Sequence, residues 1–251
     1  DSDVASAFGD ALGGVLSVVA QNVVLTLSVP PESKLVLVHH EDKTKQEDGS
    51  FKVNLGDFYA EESRDVVFHV NLRSDESTDG EGNGIPHAMA SLSYLDTIKK
   101  ELVEGDAATA YIKRPNTATL SPPNPSVVVQ WLRIRTTIGI EEADQLSQRG
   151  ELKSAREKIT AQLQELRQES TDANAESDPL IIQLIADLND VHLGLDSVKT
   201  YETFGSKTMK RKFQSHRLQR CNEASECAEN TYRSKRKACL SRKMKDRSTK
   251  K

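Results

Sequence analysis

Ser126-Val127-Val128-Val129-Gln130-Trp131-Leu132-Arg133-Ile134-Arg135-Thr136-Thr137-Ile138-Gly139-Ile140 opens with three β-branched residues in a row and invites reading as a strand. Alternation fails, because one face of such a strand would carry Trp131, Arg133 and Arg135 together. Val127, Trp131, Ile134 and Ile138 instead recur in steps of four, three and four, which predicts a helix with Ser126 as its cap and Gly150 as its end. Downstream the same period continues. Leu152, Ala155, Ile159, Leu163 and Leu166 form a second stripe, and a polar loop covers residues 170–177. Asp178 caps a third helix that starts on Pro179 and turns Ile181, Leu184, Leu188, Val191 and Leu195 inward. Ser206 caps a fourth, basic helix. Residues 125–220 therefore read as an antiparallel helical bundle.

Upstream, residues 115–124 enter a group of three prolines (Pro122, Pro123, Pro125) and read as a linker. Before it the period is two. Val23, Leu25, Leu27 and Val29 alternate with Val24, Thr26 and Ser28 until Pro30-Pro31. Lys34–His40 is a second β-rich run, and residues 41–50 form a charged loop containing Asp48-Gly49. Phe51, Val53 and Leu55 alternate next, with Gly56-Asp57 as the turn that follows. Val66, Phe68, Val70 and Leu72 share one face of a further strand. Residues 73–86 are acidic and glycine-rich, a surface loop, and 89–95 and 107–112 are further strands. About six short strands without intervening helices favour an antiparallel β-sandwich over residues 22–114. The first 21 residues carry Val4, Phe8, Leu12, Val15 and Val19 at helical spacing, with Ser2 or Asp3 as cap. The fold class is thus α+β: one helix (1–21), a sandwich (22–114), a linker (115–124), a helical bundle (125–220) and a basic tail (221–251) read as disordered.

Composition narrows the function. The 251 residues are 36% apolar and 29% charged, a modest apolar share for one dense core. The net charge of −4 hides a segregation: residues 205–251 hold 16 Lys and Arg against 4 Asp and Glu, and the remainder holds 18 against 34. No apolar run approaches the roughly 20 residues that cross a bilayer. Asp1, Asp3 and Asp10 stand where a signal peptide needs a positive and then an uninterrupted apolar stretch. Asp1 in place of Met reads as a processed or partial product. The three cysteines, Cys221, Cys227 and Cys239, all lie in the tail. This odd number argues for a reducing, intracellular compartment, the cytoplasm, with the nucleus as a second address because of the basic tail.

Several residue groups have the right chemistry but the wrong arrangement. His216, Cys221, Cys227 and Cys239 lack the Cys-x₂-Cys spacing that sets zinc geometry, and they read as bundle sequence and reduced thiols. His39 and His40 are neighbours on a strand and point to opposite faces, so they do not chelate one ion together. Asp75, Glu76, Asp79, Glu81 and Asn83 resemble a calcium loop, but Pro86 stands where its bidentate Glu belongs. Gly80, Gly82 and Gly84 sit among carboxylates that repel phosphate. There is no Gly-x-Ser-x-Gly elbow, and Cys221 has no evident base. The reading is no catalytic residue, no metal and no cofactor. Arg233, Lys235, Arg236, Lys237, Arg242, Lys243, Lys245 and Arg247 are the candidate contacts to an anionic partner, and with Tyr232 as the tail's one aromatic they are suited to phosphate rather than to stacked bases.

Ala7-Phe8, Leu12-Gly13-Gly14 and Leu16-Ser17-Val18-Val19-Ala20-Gln21-Asn22 resemble the last helix of a von Willebrand factor type A domain. Leu55-Gly56-Asp57-Phe58-Tyr59, Glu61-Glu62-Ser63-Arg64-Asp65 and Val67 continue the match. It resumes at Ala143, Gly150, Leu152, Ala155-Arg156, Tyr201, Gly205, Ser215-His216 and Gln219-Arg220. The pattern is similar to multidomain proteins in which that domain precedes a sandwich and a helical "Vwaint" region, including plant RING-type ubiquitin ligases of the wavy-growth kind. The resemblance implies a residual type A helix at residues 1–21 and a non-catalytic protein-interaction or scaffold role. The alternatives are the substrate-recognition part of a ligase whose RING lies outside this chain, and nucleic-acid or anionic-surface binding by the tail. The family's cation-binding Asp-x-Ser-x-Ser falls upstream of Asp1, and no RING array of Cys and His is present. A complete chain would have lost both; a fragment would have them elsewhere.

Overall fold

A computed structural model describes residues 18–31, 33–72, 85–112, 122–220 and 232, and among these described residues eight strands are followed by helices. The described residues divide into two units, the second beginning at Pro122, and each has its own apolar core.

The strands are β1 (Val18–Ser28), β2 (Lys34–Val38), β3 (Lys43–Lys45), β4 (Phe51–Tyr59), β5 (Phe68–Asn71), β6 (Ile85–Asp96), β7 (Glu101–Glu104) and β8 (Ala108–Ile112). Every pairing is antiparallel. The larger sheet runs β3-β4-β1-β6-β7, with β8 also on β6, while β2 and β5 form a separate pair. Period two does the sorting: Phe51, Val53 and Leu55 are buried while Lys52 and Asn54 are exposed. Val23 and Leu27 of β1 join them, and so do Leu35 and Val38 of β2, so residues from both sheets share one core.

Strand β1 begins four residues earlier than its alternation suggests. Val18–Gln21, expected as the end of a helix, are strand, and Val18 pairs with Tyr59 and Ala20 with Phe58. The expected helix otherwise falls on residues 1–17, outside the described residues. A β-bulge explains the misreading. Asn22 takes a left-handed conformation (φ 51°), the register shifts around it, and its N–H donates to Asp57 Oδ1 at 3.1 Å. Asn tolerates that conformation where most residues do not. Across the ladder Gly56 (φ 69°) pairs with Val23, so Gly56-Asp57 bends β4 rather than turning the chain, and the strand runs on to Tyr59. Two short strands, β3 and β7, lie where no apolar alternation marks them; Lys43-Thr44-Lys45 is strand because β4 pairs with it inside the expected loop. Residues 73–84 of the acidic loop lie outside the described residues, and Ile85-Pro86 already belong to β6.

In the second unit α1 (Pro125–Gln148) is capped by Asn124, whose Oδ1 accepts from Ser126 N at 3.0 Å, with Pro125 in the first turn. Ser126 is therefore inside the helix. Gly150 (φ 84°) follows its last turn as expected. The buried face shares Ile134 with the apolar stripe and otherwise departs from it. Val127 and Ile138 are 60% and 42% exposed, and the inward line is Val129, Leu132, Arg133, Thr136, Ile140, Ala143 and Ser147. Two of the buried polar side chains are satisfied locally, Thr137 Oγ1 donating to Arg133 O and Ser147 Oγ to Ala143 O, which lets them go inward without an apolar signature, whereas Thr136 Oγ1 is buried with no hydrogen-bond partner among the described residues.

Helix α2 (Leu152–Asp172) buries Ala155, Ile159 and Leu166 and extends past Ser170, which is buried in its last turn rather than in a loop. Arg135 of α1 pairs with Glu165 and Glu169 of α2. Helix α3 (Pro179–Gly194) starts as expected, Asp178 Oδ1 accepting from Leu180 N at 2.8 Å, and its stripe from Ile181 to Leu195 is buried.

A single α turn (Val198–Thr200), capped by Ser197, then runs through a π turn (Tyr201–Gly205) into α4 (Ser206–Leu218). Ser206 is thus not a cap: the residue before it is already helical. At the end of the π turn the backbones of Gly194 and Gly205 touch. A Cβ on Gly194 would lie 2.9 Å from Gly205 Cα, and one on Gly205 would meet the Gly194 carbonyl group inside van der Waals contact. Gly205 has ordinary helical dihedrals, so Ala there would favour the helix by about 1 kcal/mol were space the same. We expect Gly205→Ala instead to lower stability by about 2 kcal/mol, as overpacking does, measured by urea denaturation of the whole chain followed at the helix signal.

Candidate functional site

The densest polar cluster of the helical unit grows from one position. Asp187 sits on the inward stripe of α3, between Leu184 and Leu188, and is 3% exposed. On α4 the inward face carries Met209, Lys212 and His216. Asp187 Oδ1 accepts from Lys212 Nζ and, at 2.9 Å, from Gln183 Nε2, while Oδ2 lies 2.8 Å from His216 Nε2. Lys212 Nζ also reaches Asp190 Oδ2 at 2.9 Å. His216 Nδ1 is 3.1 Å from the Tyr232 hydroxyl, whose ring meets the imidazole edge-on at 5.7 Å. Arg133 of α1 completes the set by donating to His216 O at 2.8 Å.

Burial alone lifts a carboxyl's pKa. At Asp187 the hydrogen bonds and charges of His216 and then Lys212 outweigh it, and the net displacement is downward. Burial likewise works against the Lys212 ammonium, but Asp187 and then Asp190 hold it above its ordinary value. Carboxylate, imidazole and phenol stand in relay order, the arrangement a general base uses. His216 is 1% exposed with both ring nitrogens engaged, so a substrate atom reaches it only by displacing Tyr232. As it stands the chain of bonds ties α3 to α4.

Beside it, an open cleft of about 320 Å³ lies between α1 and α4, with Glu141, Asp144, Gln148, Lys210 and Phe213 in its walls. Asp144, at its base, accepts from Tyr201 Oη at 3.0 Å and from Gln148 Nε2 at 2.7 Å. Burial, offset by Ser206 and reinforced by Asp144, holds the Tyr201 phenol above its usual range.

In the β unit the residues of the Gly56–Arg64 motif form a clamp. The Arg64 guanidinium donates to Leu55 O and to Asp57 O (3.0 Å), pairs with Glu62 at 2.9 Å and lies 4.5 Å over the Phe58 ring. Glu62 Oε2 in turn accepts from Tyr59 N at 2.9 Å. Nearby on β5 is a contact the sequence reading overlooked. His39 and His40 follow the end of β2, and His39 Nε2 lies 3.2 Å from Nε2 of His69. His40 is half-buried, and burial, against the pull of Asp42, lowers its pKa.

The tail residues Arg233, Lys235, Arg236, Lys237, Arg242, Lys243, Lys245 and Arg247, the three cysteines, and the Asp75–Asn83 and Gly80–Gly84 groups lie outside the described residues. Of the four zinc-capable side chains considered in sequence, His216 is described, and it is bonded within the helical unit. Among the described residues no three His, Cys, Asp or Glu side chains converge as a metal site, and no helix is long and apolar enough to cross a membrane. Asp187, Lys212 and His69 were not singled out by sequence. For Asp187 the signal was there: a carboxylate on the inward line of an otherwise apolar stripe.

Compared with family models, with characterised proteins and with solved structures, the chain matches none.

Removing one member of a buried ion pair costs about 3–5 kcal/mol, because the partner is left charged and unpaired. We expect Asp187→Asn to destabilise the protein by about 3 kcal/mol at pH 7. A depressed carboxyl contributes stability above its unfolded value of about 3.9, and that contribution disappears as pH falls through the lower folded value. The gap between wild type and variant, read from urea midpoints, is therefore expected to shrink as pH falls below about 4.

Proposed function

We propose that this chain is a non-catalytic protein-interaction module: a β-sandwich and a helical bundle of the kind that follows a von Willebrand factor type A domain. The observation that carries the interaction reading is a run of apolar surface where α3 passes into α4. Leu193, Val198 and Phe204 are 63%, 59% and 45% exposed within twelve residues of chain, in a connection that ordinarily is polar. The Phe204 ring lies against Gly194, next to Leu193, so the exposed groups adjoin the rigid glycine contact. A rigid base suits recognition, since little order has to be gained on binding. Support for the family reading comes from what its quoted residues do: Asp57, Phe58, Glu62 and Arg64 are all spent on the clamp beside the bulge. Ala143, Ala155, Gly205 and His216 are buried in the helical unit.

The test places a photo-crosslinking benzoylphenylalanine at position 204 of the whole chain, in extract from its own source. The interaction reading requires a discrete heavier product, which Leu193→Asp and Val198→Asp each reduce at least about fivefold, about 1 kcal/mol of binding. Melting temperature stays within about 2 °C, as for a surface change. No discrete product, or one indifferent to both changes, removes this reading.

The charge segregation supports a second reading, capture of an anionic partner by the tail. Replacing Lys235, Arg236 and Lys237 with Gln in the whole chain is expected to flatten the salt dependence of binding to a DNA duplex by about 0.9 per lost phosphate contact. The readout is the slope of log affinity against log salt, and an unchanged slope counts against the tail.

A further inference from the structure

The His39–His69 contact on the β2–β5 pair carries an inference of its own. The register Leu37↔His69 and Val38↔Phe68, continued by the bond from His39 N to Val67 O (2.8 Å), puts His39 and His69 diagonally across the ladder on one face. A register shift between Leu35 and Leu37 sets that face. It lets Leu35 and Val38 both turn inward, three residues apart, and so turns His39 outward with Leu37, which is 40% exposed. His39 and His40 are both half-buried. The two outward rings stand with centroids 5.0 Å apart and planes at 58°, Nε2 facing Nε2.

We propose that His39 and His69 form a two-histidine site for a late first-row divalent ion, Zn²⁺ in particular, that bridges β2 and β5. The spacing suits chelation. Two imidazole nitrogens each about 2.05 Å from Zn²⁺ and as far apart as these subtend an angle of roughly 100° at the metal, near the tetrahedral value. Imidazole is the ligand type that Zn²⁺, Cu²⁺ and Ni²⁺ share. Without metal one ring donates its Nε2 proton to the other. On binding, that proton moves to Nδ1 of the same ring, so that both Nε2 atoms present lone pairs and no proton need be released. His69 and Leu37 are exposed on this face, which lets water fill the remaining two positions. A two-stranded pair with four-residue and five-residue strands is marginal alone, and an ion held across it acts as a staple.

The experiment uses the whole chain with Cys221, Cys227 and Cys239 changed to Ser, which removes the tail thiols as competing ligands. ZnCl₂ is titrated in at pH 7.5 by calorimetry. The expected result is one ion per chain. His39→Gln and His69→Gln, which keep a side-chain amide in place of the ring, each weaken binding at least about tenfold, about 1.4 kcal/mol. His40→Gln binds as the parent does. Zinc-dependent shifts of the His39 and His69 ring protons in NMR spectra identify the ligands directly. Absence of binding up to 1 mM ZnCl₂, or parental affinity in either the His39 or the His69 variant, overturns the proposal.

Discussion

Placing a carboxylate in an apolar helix interface is unfavourable unless its charge is answered there, and the helical unit is arranged around that requirement. Asp187 lies among Leu184, Leu188 and Val191, so its two oxygens must find donors inside the protein. Lys212 and His216, four residues apart on α4, supply them on one face, and Gln183 supplies a third from one turn earlier on α3. Each donor then needs its own support. Asp190 shares Lys212, Tyr232 meets the far side of the His216 ring, and Arg133 holds the His216 carbonyl. The consequence is specificity of rotation and height: greasy faces of α3 and α4 could slide, but a carboxylate with named partners has one position. The glycine contact at Gly194 and Gly205 belongs to the same constraint, since it sets how closely the two segments approach.

The β unit solves an analogous problem by geometry rather than charge. Two left-handed residues, Asn22 next to Val23 on β1 and Gly56 opposite Val23 on β4, meet at the register shift, and the resulting bulge is fastened by Asp57 on one side and by Arg64 on the other. An unpaired guanidinium at that depth would be costly, so Glu62 and the Phe58 ring accompany it. Side chains that read in sequence as a run of mixed charge are here parts of one joint.

Legibility followed the type of force involved. Where burial of apolar groups decides, the period was readable: the alternation at Phe51, Val53 and Leu55, and the stripe from Ile181 to Leu195, stand where their spacing puts them. Where hydrogen bonding decides, it was not. The strand character of Val18–Gln21 is hidden because the bulge at Asn22 interrupts the alternation, and β3 exists through its partner rather than its own composition. The inward face of α1 was misread because Arg133, Thr137 and Ser147 occupy it, and hydropathy weighs side chains without their partners. The histidine pair is an instance of the same limit. His39 and His40 are adjacent in the chain, yet His39 meets His69, which only the β2–β5 register brings near.

The π turn from Tyr201 to Gly205 has a consequence for how α4 is phased. A π turn accommodates one residue more than an α turn over the same rise, and each residue advances an α-helix by about 100°. The surplus residue is absorbed before Ser206, so everything from there onward is rotated relative to the turn at Val198–Thr200. A chain one residue shorter in this stretch would keep its hydropathy and its helix, yet would present a different side of α4 to α3. Lys212 and His216 would then look away from Asp187 by more than a quarter turn. The irregularity is what brings two separately periodic segments into phase.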